Sequence, residues 1–98
     1  MIEAEGGTNM AKMNEDQSRE VILRSAALRG RGKFKDALAL IESNLPNLAP
    51  ACLLNAGLEA LYAAREGGMR EAAVKWAREL SKIDPEIPGA KRTLEDWG

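Results

Sequence analysis

An internal repeat of about 35 residues is the feature that most restricts how this 98-residue chain can fold. A shift of 35 residues brings seven pairs of similar residues into register: Gly32 with Gly67, Phe34 with Met69, Ala37 with Ala72, Ile41 with Trp76, Leu45 with Leu80, Leu48 with Ile83, and Pro50 with Pro85. Each unit contains a helix pattern, a glycine turn, a second helix pattern and a proline. A period of this length is typical of stacked helical hairpins.

Apolar residues at spacings of three and four predict five helices joined by short turns, and therefore an all-α fold. Asn14 is predicted to cap the first helix, Gly30 to end it in a left-handed conformation, and Pro50 to open the third helix. The residues predicted to be buried are Val21, Ile22, Ala26 and Leu28 in the first helix, Phe34, Ala37, Leu38, Ile41 and Leu45 in the second, Ala73, Trp76, Ala77, Leu80 and Ile83 in the fourth, and Ile87, Ala90, Leu94 and Trp97 in the fifth.

The third predicted helix, residues 51–66, is apolar or small on nearly every side. Asn55, Glu59 and Glu66 interrupt the apolar surface as one stripe at helical spacing. A helix of this composition needs neighbours on at least two sides, so we place it at the centre of the fold. Residues 14–98 are predicted to form one helical domain, and residues 1–13, which show no periodicity, a flexible tail.

Charge and hydropathy narrow the choice of partners. The 14 basic and 15 acidic residues leave a net charge of −1, which gives no overall field toward nucleic acid or an anionic membrane. The basic run of residues 29–35 is interpreted as a solvated turn. No apolar run is long enough to cross a bilayer, and the first residues, MIEAEGG, lack the pattern of a secretory signal. We therefore expect a cytoplasmic protein with no nucleic-acid or membrane partner.

No combination of residues predicts catalysis. Histidine is absent, which removes the commonest general base and the commonest transition-metal ligand. The single cysteine, Cys52, lies in an apolar segment and is interpreted as a structural thiol. Glu59 and Glu66 could form a carboxylate pair, but their position on the polar stripe predicts that they face solvent. We expect no enzyme activity, no cofactor and no metal site.

The chain resembles the tetratricopeptide repeat family. The residues from Gly32 to Leu38, GKFKDAL, look like the glycine, aromatic and alanine pattern of that family, and those from Leu80 to Pro85, LSKIDP, look like its closing leucine, aspartate and proline. The resemblance implies two repeats, at about residues 16–50 and 51–85, and a capping helix at about residues 87–97. It also implies antiparallel hairpins stacked as a short right-handed solenoid.

The same resemblance implies a concave surface, lined by the first helix of each hairpin, that holds a peptide or helix of a partner protein. The residues that match this surface are Arg19, Ile22, Ala26, Arg29, Leu54, Gly57, Leu61 and Ala64, with Arg65 and Arg92 near its edge. An apolar floor with several arginines suits a segment with aliphatic anchors and acidic flanks, as a bacterial chaperone or adaptor would bind. The alternative is a structural self-association domain whose own copies or tail cover this surface.

Overall fold

The computed structural model describes residues 12–98, and this part of the chain forms five α-helices and no strand. The helices are α1 (Glu15–Gly30), α2 (Phe34–Asn44), α3 (Leu53–Glu66), α4 (Arg70–Ile83) and α5 (Pro88–Trp97). Two short 3-10 turns, Leu45–Asn47 and Pro50–Cys52, connect α2 to α3. The predicted all-α class with five helices is therefore confirmed. The third helix begins at Leu53, because Pro50 opens a 3-10 turn instead.

The start of α1 has the cap that its sequence predicts. The Asn14 side chain accepts a hydrogen bond from the Gln17 amide at 2.8 Å, and the Gln17 side chain accepts one from the Asn14 amide at 3.0 Å. This reciprocal pair satisfies two donors that the first turn of a helix leaves open. Of the predicted tail, residues 1–11 lie outside the described residues. Lys12 and Met13 contact the domain, since the Lys12 ammonium donates to the Pro46 carbonyl and the Met13 amide to the Asn47 carbonyl, both at 2.8 Å.

The two hairpins, α1 with α2 and α3 with α4, have the same turn. Gly32 and Gly68 both have a positive φ, of 78° and 71°, and they lie 36 residues apart. The following amides, of Lys33 and Met69, donate equivalent hydrogen bonds across each turn, at 2.9 and 2.8 Å. The structural repeat at the turns is therefore 36 residues, and the 35-residue register is one residue short there. The predicted left-handed cap at Gly30 is wrong, because that glycine is still helical.

The central helix is α3, which contacts all four other helices, as no other helix does within residues 12–98. Its alanines let the neighbouring helices approach closely, and larger side chains from three helices fill the remaining volume. The fully buried alanines of α3 are Ala56, Ala60, Ala63 and Ala64. The largest fully buried apolar side chains of the described residues are those of Ile41, Leu61 and Leu80.

Hydroxyl groups occupy positions that the apolar pattern did not predict. In α1 the fully buried residues are Ser18 and Ser25, whereas the predicted apolar positions are only partly buried. The Ser18 hydroxyl accepts a hydrogen bond from the Ala49 amide at 2.8 Å, and the Ser25 hydroxyl donates to the Ala37 carbonyl at 2.9 Å. Both hydroxyls are therefore satisfied inside the core.

One predicted core residue of α4 lies outside the core. Ile83 is largely exposed, although it follows the buried Trp76, Ala77 and Leu80 along the same stripe. It is the last residue of α4, and the chain then extends away at Asp84. No further turn of helix covers this side chain.

Candidate functional site

The first helices of the hairpins, α1 and α3, and the final helix α5 lie side by side. Helix α3 contacts α1 through Glu59 and α5 through Arg65, and it also contacts α2 and α4. The exposed surface shared by α1, α3 and α5 is called the first-helix face below.

Arg29 joins the α1 and α3 parts of this face. Its guanidinium forms two hydrogen bonds with the Glu59 carboxylate, at 2.5 and 3.3 Å, and a third with Glu66 at 2.9 Å. The same guanidinium lies 5.4 Å from the centre of the Tyr62 ring, within cation–π range. The hydrogen bonds that Arg29 donates to the Glu59 carboxylate raise the pKa of Arg29 further above its ordinary value, so the arginine stays charged at any working pH.

The predicted solvent-facing position of Glu59 is wrong. Only 7% of this residue is exposed, because α1 lies against the carboxylate and Arg29 covers it. A buried carboxylate needs a charged partner and further hydrogen bonds to offset its lost hydration, and Arg29 supplies both. Glu66 is about half exposed and forms the outer part of the same ion pair.

Arg65, which follows Arg29 by 36 residues, forms an equivalent arrangement between α3 and α5. Its guanidinium donates to the Thr93 hydroxyl at 3.1 Å and to the Asp96 carboxylate at 3.2 Å, both on α5. It also lies 5.0 Å from the centre of the Trp97 ring. Each of the two arginines thus connects its own helix to the next helix of the face through a carboxylate and an aromatic ring.

The open part of the first-helix face is apolar. Leu23 of α1 is 65% exposed, and Leu54 and Tyr62 of α3 are 40% and 38% exposed. Leu54, the half-buried Leu58 and Tyr62 follow one another at intervals of four residues, so they share one side of α3. The three α3 side chains form an apolar stripe, and its last member, Tyr62, lies against Arg29.

Five of the predicted site residues lie on or at the edge of this face. Arg19 is exposed and forms ion pairs with two acids of its own helix, Glu15 and Asp16. Ile22 and Ala26 are partly buried beside it, Leu54 is exposed, and Arg92 is exposed on α5. Arg29 and Arg65, as described, are held in bridges between helices.

Three other predicted positions are wrong as surface residues: Gly57, Leu61 and Ala64 are buried. A side-chain carbon added at Gly57 would lie 3.0 Å from Leu80, so this position faces α4. Leu61 packs toward α5, where it lies near Gly89. The surface predicted from the sequence therefore includes sides of α3 that face α4 and α5 instead of solvent.

Sequence reasoning missed Leu23, Leu58 and Tyr62. The signal was available for α3, because Leu54, Leu58 and Tyr62 repeat at intervals of four residues and include the only tyrosine of the chain. The direction of that stripe depends on which side of α3 faces α4, and the helical spacing does not decide this.

A hollow of about 400 Å³ lies at the α5 end of the face. It is bordered by Leu61, Tyr62, Arg65, Glu66, Pro88, Gly89 and Arg92. Among the described residues Arg92 has no ion-pair partner, in contrast to Arg65 beside it. The hollow therefore combines an apolar wall, an aromatic ring and a cation that no acid of residues 12–98 pairs with.

The remaining candidates offer little chemistry. Cys52 is buried next to the Glu15 carbonyl, and Arg29 of the basic run is engaged with Glu59. Within residues 12–98 no group of three or more Cys, Asp or Glu side chains is arranged to hold a metal ion. No helix in that range is both long and apolar enough for a membrane span.

Comparison with protein-family models, curated proteins and solved structures finds no match to this chain.

Proposed function

We propose that this chain is a short tetratricopeptide-type module that binds a segment of another protein on its first-helix face. The observation that carries the proposal is the apolar stripe of α3, where Leu54 and Tyr62 are exposed beside the half-buried Leu58; a further exposed leucine, Leu23, lies on α1. Contiguous exposed apolar side chains with a polar border are characteristic of interaction surfaces. The role involves no chemical reaction.

The hairpin arrangement supports this role. The glycine turn and the arginine bridge of the first hairpin each have an equivalent 36 residues later, a spacing that fits stacked helical repeats. The arginine bridges fix α1, α3 and α5 relative to one another. A face held in this way loses little conformational freedom when a partner binds.

The side chains of the face suggest the chemistry of the partner segment. An aliphatic anchor of an amphipathic helix would contact Leu54 and Tyr62, while an acidic side chain would pair with Arg92 at the hollow. Arg29 pairs with both Glu59 and Glu66, so its single positive charge offsets one of their two negative charges, and the half-exposed Glu66 adds an acidic border to the face. An adaptor or a chaperone that shields an apolar helix would need such a surface.

A displayed library of amphipathic helical peptides tests the proposal. Peptides selected on the wild-type chain are synthesised with a fluorophore, and their affinity is measured by anisotropy. We expect Leu54→Glu to weaken binding by about 10- to 100-fold, since burial of one leucine contributes about 1.5–3 kcal/mol. The matched control is Leu53→Glu, because Leu53 is exposed to nearly the same degree but does not lie on this face.

Two results would contradict the proposal. One is a selection that enriches no peptide above the background of an unrelated helical protein. The other is a set of peptides that lose as much affinity with Leu53→Glu as with Leu54→Glu. Circular dichroism of each variant verifies that the helices are retained.

A further inference from the structure

We infer that a groove between α2 and α4, on the opposite side from the first-helix face, is the surface through which two copies of this chain associate. The groove, called the second-helix groove below, has a volume of about 710 Å³. Its apolar lining consists of Leu45, Pro46, Leu53, Trp76, Leu80 and Ile83. This inference goes beyond the proposed function, because the two surfaces share none of their exposed apolar residues.

The exposed large apolar side chains of the described residues divide between two surfaces. Leu23, Leu54 and Tyr62 belong to the first-helix face, and Leu53 and Ile83 border the second-helix groove. Ile83 is 64% exposed and Leu53 is 41% exposed. The groove thus combines an apolar floor with two exposed apolar side chains, so one patch supplies both the cavity and the side chains that a self-complementary contact can use.

The charges of the groove favour a second copy over a strongly charged partner. Glu42 lies on the α2 wall, where one oxygen of its carboxylate accepts the indole N–H of Trp76 at 2.9 Å. Lys75 lies on the α4 wall, and Lys82 is paired with Glu79 at 3.1 Å. Among residues 12–98 neither Glu42 nor Lys75 forms an ion pair.

A two-fold contact satisfies both of these charges. In such a contact, residue i of one copy meets residue j of the other, and the converse holds by symmetry. If α4 of each copy lies along the groove of the other, Lys75 of one copy faces Glu42 of the second. Ile83 of each copy then enters the apolar part of the opposite groove. The net charge of −1 produces little repulsion between the copies.

Sedimentation equilibrium over about 1 µM to about 1 mM of the full chain tests the inference. We expect a monomer–dimer equilibrium that Ile83→Glu weakens at least about tenfold, since the variant removes the protruding anchor and buries a charge. Leu23→Glu is the matched control, because Leu23 is 65% exposed and lies on the first-helix face. It should leave the dimer constant unchanged.

A second pair of variants makes the result independent of any one substitution. Leu53→Glu should weaken the dimer and Leu54→Glu should not, although the two leucines are adjacent and equally exposed. Lys75→Glu should also weaken it, because it brings two carboxylates together at Glu42. Circular dichroism shows whether each variant keeps its helices.

Three outcomes would overturn the inference. The chain could be a monomer at every concentration, Leu23→Glu and Leu54→Glu could change the dimer dissociation constant more than the groove variants do, or no substitution could change it. The two proposals can fail independently. If no dimer forms, the effect of Leu54→Glu on peptide affinity still tests the proposed function. If no peptide binds, the effect of Ile83→Glu on sedimentation still tests the dimer.

Discussion

The bridge of Arg29 to Glu59 allows a sharp test of what holds the first helices together. Arg29→Met removes the guanidinium but keeps an unbranched side chain against Tyr62. Glu59, which is only 7% exposed, is then left charged without its partner. Removal of one member of a fully buried ion pair costs about 3–5 kcal/mol. Because the Arg29 side chain is 26% exposed, water can reach the carboxylate, and we expect a loss of about 2–3 kcal/mol.

Two further arginines provide a graded comparison. Arg65 forms the equivalent bridge to α5, but its carboxylate partner Asp96 is about half exposed, so Arg65→Met should cost about 1–2 kcal/mol. Arg24 pairs with Glu20 on the open surface of α1, where ion pairs contribute little, so Arg24→Met should have no measurable effect. The three free energies come from urea unfolding followed by far-ultraviolet circular dichroism.

Glu59→Gln separates the effect of the buried charge from that of the contact. The neutral amide leaves no buried charge at position 59, and Arg29 keeps Glu66 as its partner. This variant should therefore be less destabilising than Arg29→Met, which leaves the buried Glu59 without its partner. Adding Glu59→Gln to Arg29→Met should recover part of the lost stability, which a double-mutant cycle measures. Equal effects of Arg29→Met and Arg24→Met would refute the reasoning. So would a double variant whose loss is the sum of the two single losses.

Two other positions give predictions about packing and hydrogen bonding. Gly67→Ala should destabilise the fold by about 1–3 kcal/mol, because the new carbon would lie 2.6 Å from Cβ of Phe34, where the turns of the two hairpins meet. The control Gly30→Ala, at a helical site with open space around it, should instead stabilise by about 0.5–1 kcal/mol in the same thermal unfolding experiment. Ser18→Ala leaves the buried Ala49 amide without its acceptor and should cost about 1–3 kcal/mol in urea, together with faster hydrogen exchange of that amide. A Ser18→Ala variant with unchanged exchange at Ala49 would show that the hydrogen bond is not needed.

Much of the fold could be predicted because local rules and tertiary packing agree. The Asn14 cap depends on side chains three residues apart, which the sequence displays directly. The first register of the repeat was one residue short at the turns because Gly67 and Gly68 are adjacent, and residue type alone does not show that Gly68 has the positive φ. The central position of α3 followed from its composition, since a helix that is apolar on most sides must be enclosed.

The candidate site was predicted less well, because it depends on the rotation of α3 about its axis. The sequence predicted Leu54, Gly57 and Leu61 as one exposed stripe, whereas the structure leaves Leu54 and Tyr62 open and buries the other two. A helix with small and large apolar residues on several sides can be turned toward its neighbours in more than one way. The close approach of α4 at Gly57, together with the arginine bridges to α1 and α5, determines the rotation.

By itself, the sequence determined that this chain forms helical hairpins, where each helix begins and ends to within a few residues, and which helix is central. These properties depend on spacing, caps and turn residues, which act over short distances along the chain. The tertiary structure alone decided which apolar side chains stay exposed and that Glu59 is buried against Arg29, 30 residues away. Such pairings depend on how the hairpins stack, and contacts between distant segments have no local signal in the sequence.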